Sequence, residues 1–358
     1  MRILYVITST AAGGAERALY DLAAGVSAAG HTVKVISLYP AGYYAEKLRE
    51  KGIETVSLNM AYRPKISDLI KLKREIISFK PDVVHAMLYR AIQMCRVLKK
   101  DFKLFTTPHT NYLKKSKFLR LIDAALKLKD DMSLAESYST ADFLKLFQSY
   151  SEKRVKIILN SPGAEFKPDK EAREKTRAET GFENKTVFIS VSRLNTEKGQ
   201  SFLLNAFAKL YNGHKDAILV FAGDGPDKDV LQTVAQNLGL QNAVRFLGFR
   251  SDVPALLNAA DIFVLPSLSE SLPLALLEAA ACGLPLIAGD TGDNAVVVKH
   301  GENGYICKVT DHMLLAAFMT ELLENKSKRR TFGKKSEKIA AGLKTDYVKE
   351  HLEVYYGN

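Results

Sequence analysis

Two carboxylates and two cations carry the chemistry in this 358-residue sequence. Glu270 and Glu278 lie eight positions apart in the run FVLPSLSESLPLALLEAAACGLPLIAGD (263–290). Between them, Pro273 is predicted as the first residue of a helix, where its missing N–H costs nothing and its φ is already helical. The residue in front of it, Leu272, is a poor N-cap and leaves the N–H groups of Leu274 and Ala275 without a side-chain acceptor. A helix start of this kind suits an anion. Glu270 is then expected in the loop before the helix and Glu278 on its second turn, facing the same mouth, as two acceptors for the hydroxyls of a polyol. Upstream, the strand-like run VFISVSR (187–193) ends at Arg193. Lys198 follows, ahead of a helical pattern with Phe202, Leu203, Ala206, Phe207 and Leu210 on one face. These two cations mark a strand-to-helix turn, the place where open α/β sheets take ligands. Either pair alone would be ordinary surface charge. Together they fit a phosphate and a sugar.

The elements that must position these groups alternate regularly. Short β-branched runs, RILYVIT (2–8), TVKVISL (32–38), TVSLN (55–59), DVVHAM (82–87) and KLFTTP (103–108), are separated by amphipathic helical patterns. This is the signature of a parallel sheet covered on both faces. The polar stretch 161–185 reads as a linker with one helix. A second series follows: TVFISVS (186–192), AILVFAG (217–223), AVRFLG (243–248), DIFVLP (261–266) and LPLIAGD (284–290). The expected fold class is therefore α/β with two doubly wound, Rossmann-like domains facing across a cleft, residues 1–165 and 166–345, with a final helix over 346–356.

The order S-R-L-x-x-E-K-G (192–199), F-A-G-D-G-P (221–226), G-F-R-S-D-V (248–253) and E-S-L-P-x4-E (270–278) resembles family 4 of the retaining glycosyltransferases, which have the GT-B fold. The likeness begins at the loop Gly13-Gly14-Ala15-Glu16-Arg17 and covers nearly the whole chain. It implies a nucleotide-sugar donor held by the second domain. Arg193 and Lys198 match the family's diphosphate clamp, joined by the backbone of Ser271, Leu272, Pro273 and Leu274 at the helix start. Glu278 matches the acceptor for the ribose hydroxyls, Glu270 the carboxylate near the donor sugar, and Gly248, Phe249 and Arg250 the turn that holds the base. On the first domain, Gly13 and Gly14 match a loop near donor and acceptor, and His109 a histidine beside the reacting carbon. His85 reads as a buried strand residue. The C-terminal helix commonly crosses back to the first domain in this fold. Ser271 stands where relatives usually have glycine, Val296 where a glutamate is frequent, and Asn160-Ser161-Pro162-Gly163 where many have Asn-Gly-Val-Asp. These departures touch donor specificity and leave the clamp intact.

Charge points to the acceptor. Residues 1–165 carry 27 Lys+Arg against 16 Asp+Glu and residues 166–358 carry 24 of each, so the whole surplus of 11 sits in the N-terminal half. It concentrates in YLKKSKFLRLIDAALKLKDD (112–131), where Leu113, Phe118, Leu121, Ile122, Ala125 and Leu128 share a helical stripe ringed by lysines, Lys114, Lys115 and Lys117 among them. A basic amphipathic helix can lie on an anionic membrane. It can equally pack its stripe into a core and leave the lysines solvated. No nucleic-acid-binding pattern accompanies it. There is no G-x-G-x-x-G after the first strand, against a dehydrogenase, and no clustered Asp/His pattern, so no metal and no cofactor are expected. Cys95, Cys282 and Cys307 form neither a C-x-x-C pair nor a disulfide framework, which favours a reducing cytoplasm. No apolar run is long enough to span a bilayer, so the protein is expected to be cytoplasmic and at most peripheral on the membrane. The expected function is transfer of a hexose or N-acetylhexosamine, from a UDP-sugar first among donors, to a membrane-associated, lipid-linked or cell-surface glycan. A nucleotide-sugar epimerase and a transferase with a soluble acceptor remain as alternatives.

Overall fold

In strand β1 (Arg2–Ile7) every residue after Arg2 is buried. Ile3, Tyr5 and Ile7 pack on one side with Leu19, Leu22 and Val26 of the helix Gly14–Ala28. Leu4 and Val6 pack on the other with Leu72 and Ile76 of the helix Ile66–Phe79 and Ile92 of the helix Tyr89–Leu98. A strand buried on both faces needs parallel neighbours under helices. That is what surrounds it: β2 (Thr32–Ser37), β3 (Glu54–Ser57), β4 (Val83–Met87), β5 (Lys103–Thr107), β6 (Met132–Ala135) and β7 (Val155–Ile157) join β1 in the order β3-β2-β1-β4-β5-β6-β7. All six pairings are parallel. The coordinates are a computed structural model that describes all residues except Pro64, 110–116, Ser149 and Asn358.

The second sheet repeats the winding. Its strands are β8 (Thr186–Val191), β9 (Ala217–Ala222), β10 (Val244–Phe246), β11 (Ile262–Leu265), β12 (Leu286–Gly289) and β13 (Gly304–Cys307), in the order β10-β9-β8-β11-β12-β13. The helix Gln200–Gly213 buries Leu203, Leu204, Ala206, Phe207 and Leu210 in its core. Each sheet thus reverses direction beside its first strand, between β1 and β4 and between β8 and β11. These are the switch points at which such sheets bind ligands, at the strands' carboxyl ends.

The chain divides into two compact units, Met1–Asn160 with Thr345–Asn358, and Ser161–Lys344. Several details differ from the sequence expectation. The first unit ends at Asn160 rather than 165. The stretch 161–185 is no linker, because Arg173 and Arg177 of the helix Lys170–Thr180 both bond Asp261, at 2.6 and 3.2 Å, and clamp that helix onto the second sheet. Strands β6, β7 and β13, of four, three and four residues, were not anticipated, and length alone does not set them apart, since β10 has three residues and its run AVRFLG reads as a strand. The last helix, Tyr347–Tyr356, belongs to the first unit, where Gly25 leaves room for Val348 and the Tyr355 hydroxyl shares a 2.6 Å hydrogen bond with Nδ1 of His85.

Candidate active site

In the second unit, the loops leaving β8 and β11 are latched together. Gly199 has φ +65°, and a Cβ there would collide with the carbonyl of Pro266, so only glycine lets the 195–199 turn approach this closely. The Leu268 N–H donates to the Glu197 carbonyl at 2.8 Å, completing the latch. Its product is an ion pair between residues 72 positions apart: Lys198 Nζ donates to Glu270 Oε1 at 2.6 Å, with side-chain exposures of 24% and 8%. Gln200 reaches back from the following helix, donating to Ser192 Oγ at 3.0 Å and to the Arg193 carbonyl at 2.9 Å. This fixes the turn while the Arg193 side chain stays exposed.

The helix expected to start with Pro273 begins one residue later, at Leu274, and runs to Ala281. Pro273 is its N-cap with an extended ψ of 125°, and its carbonyl accepts from the Leu276 N–H at 3.1 Å. Leu272, expected as the cap, is buried one position further out. A proline has no side-chain oxygen, so this start has no side-chain cap. Glu278 is buried on the second turn, and Ser271 accepts through its carbonyl from the Asp293 N–H at 2.8 Å. Gly292 supports that contact: its φ is +53°, and a Cβ would strike the carbonyls of Glu270 and Ser271. The loop 290–294 is thus part of the wall behind Glu270, a role with no sequence signal beyond one glycine. At the neighbouring corner, the Gly223 N–H donates to the Gly248 carbonyl at 2.8 Å, Phe249 is exposed, and Arg250 pairs with Asp252. That pairing raises the Arg250 pKa and holds the Asp252 carboxyl below its usual range. Arg193, Lys198, Gly248, Glu270 and Glu278 all follow the carboxyl ends of one sheet.

In the first unit, Gly13 is the N-cap of the helix Gly14–Ala28, and the space a Cβ would fill is taken by the Glu16 carboxylate. His109 lies two residues past β5 with φ +55°, an uncommon conformation for a histidine, and its Nε2 is buried with no hydrogen-bond partner among the described residues. Burial, reinforced by nearby His351, lowers its pKa to about 4, so the ring is neutral near pH 7. His85 is a structural group: both ring nitrogens are bonded, to Tyr355 and, at 2.8 Å, to Thr107. All three cysteines are buried, and burial raises each thiol's pKa.

The basic segment 112–131 is only partly described. Residues 112–116, with Leu113, Lys114 and Lys115, lie outside the described residues. The helix Lys117–Leu126 turns a polar face inward: buried Asp123 accepts from Gln93, Gln148 and Arg96, and Arg96 also bonds Asp130. Leu121 and Leu128 of the apolar stripe are 68% and 70% exposed. Among the described residues, no three His, Cys, Asp or Glu side chains form a metal-binding group, and no helix is long and apolar enough to cross a membrane.

Two family models match: glycosyl transferases group 1 over residues 172–339, and glycosyltransferase family 4 over residues 12–161. An N-acetyl-alpha-D-glucosaminyl L-malate synthase of Bacillus anthracis is 32% identical over 175 residues, 49% of this chain and 46% of that protein. A UDP-Gal:alpha-D-GlcNAc-diphosphoundecaprenol alpha-1,3-galactosyltransferase of Escherichia coli is 34% identical over 131 residues, 36% of this chain and 34% of that protein. The chain spans about half the length of the curated relatives it matches, or less. The structure of Anabaena HepE in complex with UDP and glucose superposes with a TM-score of 0.89 at 22% identity, covering 100% of both chains. Two Rossmann-like units of this topology make a GT-B fold, and with both family models matching in consecutive halves the chain belongs to the group 1, family 4 glycosyltransferases.

Proposed function

We propose that the protein is a retaining glycosyltransferase that moves a hexose or N-acetylhexosamine from a UDP-sugar to a membrane-associated, lipid-linked or cell-surface glycan acceptor. The observation that carries this reading is the assembly in the second unit of the Arg193 turn, the Lys198–Glu270 pair and the helix start after Pro273, with Glu278 buried behind it. Arg193 offers a planar fork for bidentate phosphate contact and Lys198 a mobile ammonium. The N–H groups at the helix start add fixed partial charge. In the proposed step, the bond from the sugar's anomeric carbon to the diphosphate breaks, and the acceptor hydroxyl oxygen bonds that carbon on the same face. Its proton passes to the departing phosphate oxygen. No carboxylate becomes a nucleophile. Glu270 stabilises positive charge on the sugar, Glu278 accepts from the ribose hydroxyls, and the turn at Gly248, Phe249 and Arg250 receives the base. In the first unit, Gly13 and Gly14 admit the substrate close to the backbone, and neutral His109 acts as an uncharged hydrogen-bonding group toward it.

The name of the Escherichia coli relative supports a UDP-sugar and a lipid-linked acceptor, and the Anabaena complex supports UDP. The Bacillus anthracis relative, whose name gives L-malate, favours a second reading with a small soluble acceptor. Exposed Leu121 and Leu128 favour the membrane surface, since apolar groups at the face of a basic helix gain by entering a bilayer. A panel of UDP-, GDP- and ADP-sugars tested for binding and slow hydrolysis identifies the donor. Lys198→Ala is expected to lower turnover ~10²–10³-fold, and Glu278→Ala to weaken donor binding. If both variants match wild type, the site assignment is wrong. Co-sedimentation with anionic vesicles should fall in the Leu121→Gln, Leu128→Gln double variant, and equal or absent binding in wild type ends the membrane reading.

A further inference from the structure

The first unit holds a cation that the donor chemistry does not use. Arg90 stands in the first turn of the helix Tyr89–Leu98, immediately past the carboxyl end of β4. Its guanidinium carbon lies 5.4 Å from the ring centre of Tyr39, which follows β2, and 5.2 Å from that of Tyr62, which follows β3. Nη1 of Arg90 is buried and has no hydrogen-bond partner among the described residues. Other arginines in the molecule behave differently: Arg96 is held by Asp123 and Asp130, and Arg173 and Arg177 by Asp261. Next to β4 in the sheet, Thr8 at the end of β1 likewise has a buried hydroxyl oxygen without a partner.

This placement does not serve the fold. A guanidinium is always charged and presents donors in a rigid planar fork. A buried donor left unpaired is costly, and more so when charged. The two aromatic rings offset part of that through cation–π attraction, but they offer no oxygen to the in-plane N–H groups. A positive charge in the first turn also opposes the helix dipole, which favours anions there. The N-cap, Leu88, supplies no side-chain acceptor or countercharge. Tyr62 is 82% exposed, so one wall of the arrangement is open to a ligand. The switch point between β1 and β4 is also the edge where a sheet of this order takes its ligand.

We propose that Arg90, flanked by Tyr39 and Tyr62, is a subsite for a phosphoryl group carried by the acceptor, either the diphosphate of a lipid-linked glycan or the phosphate of a small soluble one. The proposal rests on the reading of the first unit as the acceptor side. It places the guanidinium fork on two phosphoryl oxygens, with the tyrosine rings confining its plane.

The test uses the full chain saturated with UDP, so that the donor site is occupied, and titrates farnesyl diphosphate, farnesol and glycerol 3-phosphate by calorimetry. Wild type is expected to bind at least one phosphorylated probe more weakly as salt rises. Arg90→Gln should weaken that binding about 10- to 100-fold, the loss of a charged bidentate contact. Arg90→Lys should fall between the two, because it keeps the charge and loses the fork. Tyr62→Ala alters an exposed ring and leaves the core untouched, and it should weaken the same probes. Binding of farnesyl diphosphate alone assigns a lipid-linked source, whereas equal binding of glycerol 3-phosphate assigns a soluble one. Farnesol should not respond to Arg90. Equal affinity of wild type, Arg90→Gln and Tyr62→Ala for the phosphorylated probes, or no binding to wild type, overturns the subsite. UDP affinity measured in the same variants should be unchanged, and failure of UDP to bind wild type counts against the donor reading instead.

Discussion

Glu270→Gln should make the protein bind UDP more tightly while making it a poorer catalyst. Lys198 is held by Glu270 through a charge-assisted hydrogen bond of 2.6 Å, with the carboxylate 8% exposed and the ammonium 24%. A diphosphate that recruits Lys198 must therefore compete with an internal carboxylate. An ammonium bonded to an amide keeps a charge-assisted hydrogen bond, so the substitution removes the attraction between two unit charges, about 1 kcal/mol at most for a solvent-exposed pair and more where one partner is buried. Replacing the carboxylate by the amide therefore frees about 1 kcal/mol or more, or roughly 5-fold and upward in UDP affinity. Turnover should move the other way, by ~10²-fold, if Glu270 faces positive charge on the departing sugar. Calorimetry with UDP at fixed ionic strength reads the first effect and donor hydrolysis reads the second. The cycle is closed by repeating the substitution on Lys198→Ala, where the gain should vanish because there is no ammonium to release. Unchanged or weaker UDP binding in Glu270→Gln, or a gain that survives without Lys198, refutes the competition.

Gly292→Ala places a Cβ against the Glu270 and Ser271 carbonyls at a φ of +53°. A left-handed backbone alone costs an alanine roughly 1–2 kcal/mol, and displacement of the loop should lower donor turnover in a protein that remains folded by circular dichroism. The imidazoles of His109 and His351, both lowered to about 4 mainly by burial, are neutral when folded and take up protons when unfolded between that value and about 6.5. Stability should thus be fully present above pH 6.5 and fall by up to about 1.4 kcal/mol per pH unit for each ring as pH drops toward 4; urea midpoints at pH 7 and pH 5 that coincide contradict this. Arg96→Ala leaves buried Asp123 and Asp130 without their cation and should cost about 3–5 kcal/mol in urea unfolding, whereas a loss below 1 kcal/mol would show that water reaches the pair.

The sequence by itself was enough for the two parallel sheets and for placing Arg193, Lys198, Glu270 and Glu278 at turns and a helix start beyond strand ends of the second sheet. The runs around Ile3–Ile7 and Val187–Val191 are apolar because both faces are buried, and that is a local property of composition. The uncapped start before Leu274 was legible because capping is decided within a few residues, although its position shifted by one, since Pro273 takes an extended ψ and serves as the cap itself. The strand Val155–Ile157 was not read from the sequence although Val244–Phe246, no longer, was, so length does not separate the two. Tertiary structure decided which charges meet. Lys198 and Glu270 are joined only because Gly199 closes onto the Pro266 carbonyl, and no pattern along the chain encodes that approach. It also decided which face of the helix Lys117–Leu126 is inside: its apolar stripe fits a core and a membrane surface equally, and Arg96, 27 residues earlier, claims Asp123 and turns Leu121 outward. Periodicity records that a helix has two faces. Only the partners brought to it in space determine which one is covered, and the same holds for Arg90, whose neighbours Tyr39 and Tyr62 come from two other strands' ends.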